Sequence, residues 1–333
     1  MSIRVIHTLY PVTLQDAGRH GFRAFGVPLS GPMDPVSHRL SNVLCGNDST
    51  AVVLEITLHG LLLDFEEDAL IALCGGGSSP MLDGYPVGCF RPLFVQRGSK
   101  LEFKPSSNGC RMYLALAGGF DADKKMGSCA TYMPAVMGGL NGRALRKGDQ
   151  LFRKSPPGFL SSRIRSSIER SSQEPKSASW GSNPFPYLLV KEAHLRFLPG
   201  PEWDRFLPSS REAFLSEAFD VTDRSDRMGY QLSGRVLQQN AEEEMLSTGV
   251  SVGTVQVTHA GLPVILMADG QTTGGYPRIA QIITADIPLC GQCRPGSAIR
   301  FTPISEKEAV AMYRLQMYQL SSVTQSIRIR FGL

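Results

Sequence analysis

Apolar and polar positions alternate over short distances for most of this chain, which predicts many short strands. In the first half, the β-branched and aromatic runs 53–60, 61–65, 69–74, 92–96, 100–103 and 111–118 are separated at close spacing by Gly, Pro and Asp. One segment there has helical spacing. Val36, Leu40, Val43 and Leu44 form an apolar stripe, with Asp34 as a cap, Pro35 at the first helical position and Gly46 as the stop. In the second half, strands are expected at 187–190, 195–198, 254–258, 263–267, 279–284 and 298–304, and helical spacing at 199–207 and 210–219. Ser305 and Glu308 spell a capping box, after which Val310, Tyr313, Met317 and Leu320 predict a helix over 305–320 that packs on its own half. The tail 321–333 has no clear assignment. Many strands with few helices argue for barrels or sandwiches rather than a doubly wound parallel sheet.

Composition adds a division. Residues 153–183 hold ten serines and six basic residues against two acidic ones, which accounts for the whole net charge of +4. This stretch reads as a flexible linker or surface loop between two β domains, 1–152 and 184–304. The remaining body is neutral, which argues against a nucleic-acid surface. No apolar run reaches membrane-spanning length and the N-terminus lacks a signal-like core, so a cytoplasmic protein is expected. Seven thinly spread cysteines fit a reducing compartment.

Several features that resemble functional motifs lack their essential parts. Gly75-Gly76-Gly77 is not followed by the Lys-Ser/Thr of a phosphate-binding loop. Cys290 and Cys293 have zinc or redox spacing without a second pair or a βαβ context, and the six histidines show no metal-binding spacing, so no metal site is expected. Three polar clusters are richer. The first joins Asp16 and Arg19 to Ser30, Met33 and Asp34, where Arg19 and a helix N-terminus suit an anion, and where Ser30 and Asp34 read equally well as helix caps. The second is Ser225-Asp226-Arg227-Met228-Gly229-Tyr230, read either as part of a site or as a buried Asp–Arg pair in a turn. The third, Asp269 to Arg278, is ten polar or small residues where a hairpin needs two or three, which favours a ligand site.

The ordered motifs QDAGR, VPLSGPMDP, LEITLHG, ALAGGFD, GGLNGRALRKGD, PGPEWDRF, SDRMGYQL and ADGQTTGGYPRIA resemble the KipA / allophanate hydrolase subunit 2 family, over roughly 3–304. That family includes biotin-dependent carboxyltransferase-family proteins and C subunits of bacterial 5-oxoprolinases. The resemblance implies two tandem cyclophilin-like β-barrel domains. It also implies a component of an ATP-dependent 5-oxoprolinase, using ATP with magnesium, beside a KipI-type partner and a LamB/YcsF-type partner. The alternatives it leaves are a non-catalytic regulator that binds a KipI-type protein, and a carboxyltransferase component acting on urea or a related amide with biotin supplied by another chain.

For lactam opening, the matching positions give Asp269 or Asp226 as a general base, and Gln271 and Thr272 as donors to developing charge. Substrate contacts would come from Arg19, Ser30, Asp34, Arg227, Tyr230, Gly274, Gly275, Tyr276 and Arg278. The sequence departs from the family pattern at Gly270, where arginine is frequent, at Arg278, where lysine is common, at Cys129 and Ala130, where Ser and Arg are frequent, and in the turn 257–263.

Overall fold

The computed structural model of the chain describes residues 2–169, 175–182, 192–241 and 245–333. The strand expected at 187–190 lies outside the described residues. The protein is mainly β, in two halves.

In the first half, two sheets face one another. One is six-stranded, in the order Gln150–Phe152, Ser2–His7, Leu62–Phe65, Lys100–Pro105, Ser78–Leu82, Tyr85–Pro86. The other is five-stranded, in the order Val12–Gln15, Val53–Thr57, Arg111–Leu116, Ala69–Gly75, Pro92–Val95. Ile3, Val5, Leu63, Phe65, Leu101 and Phe103 of the first sheet meet Leu14, Leu54, Ile56, Ile71, Met112 and Leu114 of the second. The five-stranded sheet is also covered on its other face, which explains why 69–74 and 111–116 are nearly unbroken apolar runs instead of alternating ones.

That second cover is helical. Helix α1, Pro35–Leu44, lays Val36, Leu40, Val43 and Leu44 on Leu70, Ala72, Cys74 and Tyr113. Helix α2, Phe159–Glu169, adds Ile164 and Ile168. Its presence corrects the reading of 153–183, since an ordered helix with a buried face occupies part of a stretch whose serines and arginines suggested a flexible linker or surface loop. The composition misled because only three of its eleven residues are buried, and two isoleucines suffice to dock it.

The second half is a closed barrel, in the order Glu192–Pro199, Arg278–Ile282, Thr254–Val257, Pro263–Leu266, Gly229–Ser233, Phe219–Val221, Ala298–Pro303. The first and last strands pair in parallel from Glu192↔Ala298 to Phe197↔Pro303 and close the ring. An aromatic cluster fills it, with Phe214 stacked on Phe301 at 4.2 Å between ring centroids. Phe214 comes from helix α3, Pro208–Ser216. The expected helix over 210–219 therefore stops earlier, because Phe219 begins a barrel strand. Of 199–207, only Trp203–Arg205 turns helically.

Two helices tie the halves together. The short α4, Ile287–Gly291, ends against the start of α1, where any Cβ on Gly291 would sit 2.2 Å from the Met33 carbonyl oxygen. Helix α5 begins at the expected capping box and runs Glu306–Arg330, absorbing the unassigned tail. Its buried Leu320 and Ile327 join the α1 cluster, and Gln316 Nε2 donates to the Ala285 carbonyl at 3.0 Å, so it packs across onto the first half as well as on its own.

Asp34 is the N-cap of α1. Its carboxylate accepts from the Val36 and Ser37 amides at 3.1 and 3.0 Å, from Ser37 Oγ at 2.6 Å and from Gln292 Nε2 at 2.8 Å. Burial pushes its pKa up, and these hydrogen bonds oppose the rise. Replacing it with alanine should cost about 2 kcal/mol in urea unfolding, and with asparagine, which still caps, about half that or less. Equal losses from both would remove capping as the cause.

Candidate active site

The polar residues of the motifs sort into two places. The first is a seam between the halves, buried and densely hydrogen-bonded at its centre. Arg227 grips Asp269 with two donors, Nε to Oδ2 at 2.8 Å and Nη2 to Oδ1 at 3.1 Å. Its Nη1 donates to Glu55 Oε1, and Nη2 also donates to the Gly31 carbonyl at 2.7 Å. Glu55 Oε2 accepts from the Met33 amide at 2.9 Å and from the Tyr113 hydroxyl at 2.7 Å. Arg111 donates to the Tyr230 hydroxyl and the Gly291 carbonyl, each at 2.6 Å. Gln292 accepts from the Cys110 and Arg111 amides at 3.0 Å.

Burial alone would raise the Glu55 carboxyl, but Arg227 and Arg111 outweigh it and hold its pKa below the ordinary value. Burial likewise works against the Arg227 charge, and Asp269 and Glu55 reverse that and push its pKa up. Each of Glu55 and Asp269 thus faces the Arg227 guanidinium inside the seam. Of the residues expected to contact substrate, Asp34, Arg227 and Tyr230 lie here with both oxygens of Asp269. Ser30 adjoins them, its amide donating to the Ala268 carbonyl at 2.9 Å and its backbone held at φ +54°.

The second place is an open cavity of about 740 Å³ where the first half's turn Arg23–Phe25 faces the barrel. Its lining includes Arg23, Ser251, Thr254, Thr272, Thr273, Arg278 and Gln281. The loop 269–278 wraps one side. Arg278 is held by Glu202 through Nε at 2.8 Å and Nη2 at 2.7 Å, a fork that the usual lysine could not make. Thr272 is buried, and its carbonyl accepts from the Val250 amide at 3.0 Å. A Cβ at Gly274 would lie 2.5 Å from Gln256 Nε2, so glycine permits this close packing. Gln271 is exposed and reaches Gln256 Oε1 at 3.4 Å, while Tyr276 stacks edge-on to His259. A Cβ at Gly270 would sit 2.9 Å from the Met228 carbonyl oxygen, so the loop in this chain leaves no room for the frequent arginine.

The remaining sequence candidates stand apart. Asp226 is exposed and closes a turn, its Oδ1 accepting from the Met228 and Gly229 amides at 2.7 and 3.2 Å. Arg19 is fully buried in the first half, donating to the carbonyls of Lys125 at 3.1 Å and Ala130 at 2.9 Å. Asp16 accepts from Ser128 Oγ and the Cys129 amide, each at 2.6 Å. These bonds use the backbone of 129 and 130, which explains why Cys and Ala can stand at those positions.

The CxxC pair is buried rather than poised. Cys290 lies in α4, burial drives its pKa well up, and that of Cys293 is pushed up to about 12. Burial also raises Cys45 and Cys74, and takes Cys89 to about 11. A thiol reagent at pH 8 should therefore react with the native protein far more slowly than with the unfolded chain, in which all seven thiols are open. Fast native labelling of Cys290 or Cys293 would refute this.

Comparison with known proteins fits this arrangement. Residues 25–303 match the carboxyltransferase domain, subdomain A and B. The chain belongs to that family. It is 41% identical to the C subunit of 5-oxoprolinase from Escherichia coli (strain K12), over 92% of this chain and 93% of that one. It is 33% identical to urea amidolyase of Saccharomyces cerevisiae over 93% of this chain, but only 17% of that much longer protein. The crystal structure of Kluyveromyces lactis urea carboxylase superposes with a TM-score of 0.85 at 30% identity, covering 97% of this chain and 29% of that one.

Sequence reading passed over Glu55, Arg111, Gln292 and Arg23. Glu55 did carry a signal, as a lone carboxylate inside the apolar strand VLEIT must find a buried cation. Arg23, on a three-residue 3-10 turn, carried none.

Proposed function

We propose that this chain is the C subunit of an ATP-dependent 5-oxoprolinase, acting with a KipI-type partner and a LamB/YcsF-type partner in the cytoplasm. The observation that carries the reading is the near end-to-end match to a 5-oxoprolinase component, against urea amidolyases of which the chain spans under a fifth. No helix among the described residues is long and apolar enough to cross a membrane.

Hydrolysing the lactam of 5-oxo-L-proline is uphill unless coupled. The amide oxygen attacks the γ-phosphorus of ATP, which enters with its magnesium, and ADP leaves. Water then adds at the activated carbon, and loss of phosphate with cleavage of the C–N bond gives L-glutamate. In this chain, Thr272, Gln271 and the amides of Gly274 and Gly275 supply donors for developing negative charge. Asp269 contributes chiefly by holding Arg227 and so fixing the start of the loop, since both its oxygens are committed there.

The test is ADP release by this chain purified with its own KipI-type and LamB/YcsF-type partners, with and without 5-oxoproline. Release that requires both 5-oxoproline and this chain supports the reading. A stable complex with no such release, but with activity on urea given bicarbonate and a biotinylated carrier, would replace it with the carboxyltransferase reading.

A further inference from the structure

The cavity beside the barrel has a one-sided charge. Among the described residues its lining holds two arginines, Arg23 and Arg278, with hydroxyls from Ser251, Thr272 and Thr273 and the amide of Gln281, and no carboxylate. The two arginines differ. Arg278 is already neutralised by the fork to Glu202. Arg23 donates Nη2 to the Val250 carbonyl and forms no ion pair among the described residues. A guanidinium facing a cavity whose lining holds hydroxyls and no carboxylate, with its own charge unpaired, is suited to receive an oxyanion.

We propose that this cavity is an oxyanion-binding site, and that Arg23 is the residue selecting for a carboxylate or phosphate group over a neutral ligand. Arg23 sits on the first half, while the lining hydroxyls of Ser251, Thr272 and Thr273 sit on the barrel half. A bound anion would therefore bridge the two halves at the point where the Arg23–Val250 hydrogen bond already joins them. Lysine in its place would keep the charge but lose the planar fork. The inference draws on the oxoprolinase reading only for its choice of probes.

The experiment is calorimetric titration of the full chain with 5-oxoproline, ADP and inorganic phosphate, and with urea as the neutral control. Amide chemical shifts of Thr272, Thr273 and Val250 are followed in parallel. At least one anion should bind, move those resonances and bind more weakly as salt is added. Arg23→Gln should weaken it about ten- to a hundredfold, and Arg23→Lys less. Binding of 5-oxoproline alone identifies the carboxylate as the group held, and binding of ADP together with phosphate identifies the phosphate. No binding by any anion at concentrations on the order of 10 mM, urea binding as well as the anions, or an unchanged affinity in Arg23→Gln would overturn the proposal. If Arg23→Gln fails to fold, shifts confined to residues away from the cavity in the wild-type chain overturn it equally. Anion binding here without 5-oxoproline-dependent ADP release keeps this site and retires the oxoprolinase reading. Dependent release with no anion binding by the chain does the reverse.

Discussion

Arg227→Ala should be the most damaging single substitution in the seam, lowering stability by about 3–5 kcal/mol in urea unfolding. The size follows from what remains behind. Removing this guanidinium leaves Asp269 without its two donors and leaves Glu55 dependent on Arg111, whose Nε is 3.9 Å away. Both carboxylates are almost entirely removed from water, so neither can be rescued by solvation. The carbonyl of Gly31 loses its partner as well. By contrast, Arg165→Ala, which breaks the partly exposed pairs to Asp68 and Glu169, should cost no more than about 1 kcal/mol. An Arg227→Ala loss as small as that of Arg165→Ala would mean that the seam contributes little to holding the halves. The same geometry governs how Asp269→Asn is read. Any effect of that substitution on activity has to be measured where the variant is still folded, because it removes a bidentate ion pair before it removes any chemistry.

How far the sequence revealed this protein depended on the range of the forces involved. Capping patterns were reliable. The cap, proline and stripe of α1 and the Ser305–Glu308 box are short-range signals, and each element begins where they place it. The β-rich two-part architecture was also legible, because alternation and turn residues are local as well. Long-range choices were not. The stripe on α5 announces a buried face but not what covers it: Met317 and Leu320 meet the cluster from α1 in the other half, while Val310 and Tyr313 stay exposed. Helix α2 was hidden by its composition, since two isoleucines among serines and arginines do not look like an anchor. Of the polar motifs, spacing located the residues but could not separate a ligand site from an interface. Arg227 and Asp269 stand forty-two positions apart and meet only because the barrel closes. The cavity, in turn, is completed by Arg23, over two hundred residues before its partner Val250.

Acid should weaken the fold through His38 before it does so through the seam. This side chain lies on the inner face of α1, fully buried, with its ring edge-on to Tyr113 at 6.4 Å. Burial lowers its pKa from 6.5 to about 4, with Arg39 adding to the shift and Asp16, Glu55 and a hydrogen bond to the Ala51 backbone opposing it. The folded protein therefore keeps His38 neutral at a pH where the unfolded chain protonates it. Stability from this group is complete above pH 6.5, falls as pH drops from there, and levels off below about 4, where the folded form also takes the proton. At 1.36 kcal/mol per unit, the total loss is about 3 kcal/mol. The measurement is unfolding free energy against pH for the wild-type chain and for His38→Gln. Carboxylates titrate in both proteins, so the difference between the curves isolates His38 together with its coupling to Asp16 and Glu55. The wild-type curve should fall more steeply than the variant's between pH 6.5 and 4, and the two should run parallel above that window. Parallel curves throughout would show that water reaches this ring in the folded state, and that the face of α1 against the sheet is less tightly closed than its packing indicates.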